Sequence, residues 1–109
     1  MTKHDDEFTR VPPHDMEAER AVLGGMLLSR EVIPEVCEIL EGPEFYRPVH
    51  ETIYRTILSL AVRGEPVDPI TVADELRKAG DLGRIGGASY LHALVQVADQ
   101  DEDRVLRPR

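Results

Sequence analysis

The sequence predicts an all-α fold, a compact bundle of about five helices, and three observations carry that prediction. Apolar residues recur at three- and four-residue spacing through most of the chain, as one buried face of a helix requires. Those stretches are bracketed by helix punctuation, with Asp or Pro ahead of them and Gly behind. Aromatic residues make up only 5% of the chain and Trp is absent, while Ala, Val, Ile and Leu abound, which suits aliphatic helix faces better than a sandwich or barrel. No alternating strand with hairpin turns and no internal repeat interrupts the pattern. The 109 residues, 41% hydrophobic and 31% charged, make one domain with a single modest core.

Residues 1–11 are polar and aperiodic and read as an N-terminal arm, residues 12–97 as the helical domain, and residues 98–109 as a charged C-terminal tail. The first helix is expected from about Met16 to Leu28, capped by Asp15, with Glu17 and Glu19 favouring the positive end of its dipole. A second, about Glu31 to Leu40, repeats Val32, Val36, Ile39 and Leu40 and holds Pro34 in its first turn, where a missing N–H does no harm. Pro48 suits the first position of a third helix, which runs to about Arg63 on a stripe of Val49, Ile53, Ile57 and Leu60 and stops at Gly64. Asp68 caps the fourth, with Pro69 at its first position, Asp74 and Glu75 ahead of Arg77 and Lys78, and Gly80 just beyond its end. The last helix starts after Gly86 and Gly87, which permit a tight entry into it, and carries Ala88, Leu91, Leu94, Val95 and Ala98 on one side.

Gly24 and Gly25 sit together inside the first helix, where each costs roughly 0.5–1 kcal/mol relative to Ala. Something must offset that cost. On a helical wheel Met16, Val22, Leu23, Met26 and Leu27 face the core, and Gly25 falls beside Ala18 and Ala21 on a flank without bulk, where another backbone could approach. The alternative is a kink or an end to the helix at Gly24. Glu19 also falls in the apolar sector, either paired with an Arg or a helix N-terminus or at the rim in water.

Catalytic chemistry finds no support in the residues. The stretch HETIY at His50–Tyr54 has one histidine of a zinc-binding HExxH pair, but Tyr54 stands where the second would be. His50 is then expected to stack on Tyr54 along its own helix, and His92 to lie on the surface. The glycine-rich GDLGRIGGASY follows no strand and lacks the lysine of a phosphate-binding loop, so neither nucleotide nor other cofactor is implied. The lone Cys37 makes no internal disulfide, and the N-terminus has no apolar signal segment, which points to a cytoplasmic chain. Net charge is −8, and residues 12–97 alone hold 14 acidic and 8 basic side chains. Direct binding to nucleic acid is disfavoured by that excess, since phosphate contacts need a basic face.

Three quoted stretches carry a resemblance: PPHDMEAERAVLGGMLLS, then FYRPVHETIYRTILSLAVRGEPVDPITVADELRKAGDL, then IGGASYLHALV. In order and spacing they resemble the N-terminal domain of bacterial replicative DNA helicases of the DnaB type, from about Pro12 to Val97. The resemblance implies a compact helical head, with AVLGGMLL as a signature on its first helix and Glu19, Gly24, Gly25, Pro48, Asp68, Gly86 and Gly87 as signature or structural positions. It implies a non-catalytic interaction and assembly role in DNA replication, with other helicase subunits, primase or a helicase loader as partners. The ATPase motor of the family is absent from these residues. ADQDEDRVLRPR stands where the family continues into a helical hairpin that pairs subunits, so a monomer or weak homodimer is expected. The alternative is a stand-alone helical protein that binds DNA or regulates replication.

Overall fold

The computed structural model describes residues 16–105, with side chains through Asp99; the expected N-terminal arm and the Asp15 cap lie outside the described residues. Every regular element among them is helical: α1 (Met16–Leu28), a short 3-10 turn (Arg30–Val32), α2 (Ile33–Ile39), α3 (Pro48–Val62), α4 (Pro69–Ala79), α5 (Leu82–Ile85) and α6 (Gly87–Val105). Two elements differ from the sequence expectation. The expected second helix divides into the 3-10 turn and α2, with Pro34 in the first turn of α2 as its missing N–H requires. The glycine-rich connection before the last helix also winds into one helical turn, α5, which buries Ile85. α6 continues past Val97 as far as Val105.

Local chemistry explains where the long helices begin and end. Pro48 is the first residue of α3. At α4, Asp68 accepts the Thr71 backbone N–H at 2.8 Å while the Thr71 hydroxyl accepts the Asp68 backbone N–H at 3.0 Å, a reciprocal capping box built with Thr in the usual Glu position. Gly80 closes the same helix at φ +82°, letting the N–H groups of Gly80 and Asp81 return to the carbonyls of Arg77 and Leu76. Gly86 and Gly87, at φ +110° and +79°, turn the chain sharply from α5 into α6.

The core gathers Leu23, Met26 and Leu27 of α1, Ile53, Ile57 and Leu60 of α3, Val72 and Leu76 of α4, and Leu91 and Leu94 of α6. The most extensive contact between two helices is that of α1 with α6, and α3 and α4 pack around the pair. Gly24 makes this contact possible. A Cβ on Gly24 would lie 2.0 Å from the carbonyl oxygen of Leu94 and 2.9 Å from the Ala98 Cβ, whereas one on Gly25 would meet nothing within 4 Å. The close approach expected at Gly25 is therefore made at Gly24, which belongs to the buried face with Leu23 and Leu27. The helix runs through both glycines without ending. Two polar links tie the periphery: Arg30 donates to the Glu65 carbonyl at 2.7 Å, and Arg63 pairs with Glu75 across α3 and α4 at 2.9 Å.

Candidate functional site

Glu19, His50 and Tyr90 form a hydrogen-bonded chain that crosses three helices inside the bundle. His50 lies on the stripe of α3 that carries Ile53 and Ile57, so the helix directs its ring inward, and its exposure is 0%. Glu19 Oε1 lies 2.6 Å from His50 Nδ1, and Tyr90 Oη lies 2.5 Å from His50 Nε2. The other Glu19 oxygen accepts the backbone N–H of Tyr46 at 2.5 Å, which fixes the chain leading into α3. Phe45 meets the imidazole edge to face, with ring centroids 6.4 Å apart.

Burial pushes His50 below the usual histidine range, against the opposing pull of the Glu19 hydrogen bond and charge; Arg47 and Arg20 lower it a little further. A neutral ring satisfies both neighbours in one tautomer, with Nδ1–H donating to Glu19 and Nε2 accepting from the Tyr90 hydroxyl. The chain is saturated by its own members. It therefore positions α1, α3 and α6 and leaves no imidazole nitrogen directed at a substrate. Tyr54, one turn after His50 on α3, donates to the Leu40 carbonyl at 2.6 Å, and burial raises its hydroxyl to about 12.

Of the signature positions implied by the resemblance, Glu19 alone enters this chain, where it meets His50. Of the two expectations for Glu19, pairing holds and a place at the rim in water does not, its side chain being 13% exposed; the partners are the His50 imidazole and a loop N–H in place of an Arg or a helix N-terminus. The expected stacking of His50 on Tyr54 is also corrected: its ring runs nearly parallel to that of Tyr90, at 7°, while Tyr54 packs on Phe45. Gly24 serves the α1–α6 seam, Gly25 lies on the outer side of α1, and Pro48, Asp68, Gly86 and Gly87 shape helix ends. His92 is exposed, as expected. No group of acidic, His and Cys side chains suited to a metal occurs among the described residues. The pairing of His50 and the part played by Tyr90 were missed in the sequence; the one signal for the pairing is that an acidic residue in the apolar sector of α1 and a histidine three places before Ile53 are the two halves of one buried pair.

Outside the core, α1 and the α2–α3 connection enclose a shallow apolar groove of about 170 Å³, lined by Ala18, Glu19, Val22, Leu40, Glu44 and Phe45. Glu44 accepts the backbone N–H groups of Glu41 and Gly42, both at 2.9 Å, and the Glu41 bond chiefly holds its carboxyl below the usual range. The groove thus has an apolar floor and a fixed negative charge at its edge.

The family described as DnaB-like helicase N terminal domain matches residues 11–104. The chain belongs to that family. It is 54% identical over 88 residues to the replicative DNA helicase DnaB of Leifsonia xyli, covering 81% of this chain and 19% of the relative. Identity is also 54% over 90 residues to the replicative DNA helicase DnaB of Mycobacterium leprae, covering 83% of this chain and 15% of the relative. The crystal structure of the N-terminal domain of DnaB helicase from Mycobacterium tuberculosis superposes with a TM-score of 0.77 at 55% identity, covering 79% of this chain and 60% of that one. The sequence and fold are those of a DnaB N-terminal domain, and the chain spans less than a fifth of the length of these two helicases. No described helix is long and apolar enough to cross a membrane.

Proposed function

We propose that the chain is a non-catalytic interaction and assembly head in DNA replication, acting through contacts with replicative helicase subunits, primase or a helicase loader. The observation that carries this reading is the confinement of the match to the N-terminal domain of much longer helicases. The polar chain of Glu19, His50 and Tyr90 supports it, because its hydrogen-bonding capacity is used in holding three helices together. Rigid elements joined in this way present fixed surfaces to partners, which is what a docking module needs. The cytoplasm is the compartment in which such contacts take place.

Two measurements test the proposal. Calorimetric titration with Mg·ATP at millimolar nucleotide is expected to give no binding heat, and micromolar affinity would overturn the non-catalytic reading. Co-sedimentation with a full-length DnaB relative is expected to carry the chain with the helicase. Independent sedimentation of the two, repeated with primase and with loader, would overturn the assembly reading.

A further inference from the structure

We infer that the groove between α1 and the α2–α3 connection is a docking site for a basic segment of a partner protein that carries one aliphatic or aromatic anchor. The inference rests on the interaction role proposed above and assigns that role a surface. Ala18, Val22, Leu40 and Phe45 supply the apolar walls, and a volume of about 170 Å³ suits one large side chain. The occupant is identified by charge. Glu31, Glu35, Glu38, Glu41 and Glu44 follow one another between Arg30 and Arg47 with no Lys or Arg among them. All five are exposed, and Glu44 lines the groove itself. Arg55, which follows on α3, is already held by Glu51 through two bonds of 3.0 and 2.9 Å.

Arg55 also rests against Gly42, between Glu41 and Glu44, so one cation faces this run of five exposed carboxylates and the excess stays negative. An apolar floor beside that excess disfavours acidic segments and draws in cationic ones over about one Debye length. Apolar anchoring then holds the captured segment, in the manner of a buried residue within a polar rim. Ile39 and Tyr46, 74% and 54% exposed, adjoin the wall residues Leu40 and Phe45 in sequence and extend the apolar surface past the groove. The N-terminal residues of the same chain match this chemistry poorly, since Asp5, Asp6 and Glu7 precede Phe8.

The test uses the full chain and a fluorescent lysine-rich peptide with a central leucine pair, followed by anisotropy. Two control peptides replace the leucines with serine or the lysines with glutamate. Saturable binding of the first peptide alone, weakening as salt rises, is expected. Val22→Arg, which fills the groove, should weaken it about tenfold or more, and the paired exposed changes Glu38→Lys and Glu41→Lys should weaken it about as much without altering the melting temperature. Equal binding of the serine peptide, or unchanged affinity in a folded Val22→Arg variant, would overturn the inference. So would concentration-dependent self-association abolished by the same variants, which would make a second copy the occupant. A gain of affinity in Phe8→Ala would assign the groove to the chain's own N-terminus and overturn it likewise. Loss of peptide binding with helicase co-sedimentation intact would refute the groove alone.

Discussion

A methyl group added to Gly24 would fall 2.0 Å from the Leu94 carbonyl oxygen, so α1 and α6 would have to separate to admit it. Gly24→Ala should lower stability by about 1–3 kcal/mol or more, the usual cost of overpacking, although Ala is the better helix former. Gly25→Ala meets nothing and should raise stability by about 0.5–1 kcal/mol, because it removes backbone freedom from the unfolded chain and gains helix propensity. Urea midpoints of the two variants must therefore move in opposite directions; movement in the same direction would refute the assignment of the contact to Gly24. His50 gives a second prediction at this scale. Its pKa is lowered on folding, so the unfolded chain takes up the proton first as pH falls. Its contribution to stability is fully present above the unfolded value of about 6.5 and is lost progressively below it, until the lower folded value is passed. Wild type should lose more stability than His50→Gln between pH 7 and that folded value, and parallel losses in the two proteins would contradict the buried neutral ring.

Among the elements, α4 owes its definition to its ends. Asp68→Ala removes the acceptor of the Thr71 N–H and half of the capping box, and should cost about 1 kcal/mol by thermal or urea denaturation. A neutral result would mean that tertiary packing of Val72 and Leu76 holds the helix without its cap. The bounds of this element were legible, because Asp68, Pro69 and Gly80 act through backbone geometry within a few residues of themselves, whereas the Thr71 half of the capping box was not read. The stripes of α1 and α3 were legible for the same reason, since helical periodicity is local. Gly24, His50 and Tyr90 were not. Which of two adjacent glycines meets α6 depends on the rotation of α1 about its axis, and the partner of Glu19 lies 31 residues away in sequence. α5 was hidden by Gly83 and Gly86, whose composition suggests a loop, while burial of Ile85 against the core sustains a single helical turn.

For the whole molecule, the net charge of −8 opposes self-association of the isolated chain. Sedimentation should show monomer, or a dimer dissociating at micromolar or higher concentration and favoured by added salt, which screens like charges over about 8–10 Å near physiological ionic strength. A hexamer persisting at nanomolar concentration, or a dimer strengthened by low salt, would show specific contacts that outweigh repulsion. The same charge bears on partners, because an acidic head that works by protein contact should ignore nucleic acid. Titration of the labelled chain with primase and, in parallel, with single-stranded DNA, followed by anisotropy, tests that claim most directly. Saturable binding to primase with a flat response to DNA is the predicted result; saturable binding to DNA with a flat response to primase would contradict it.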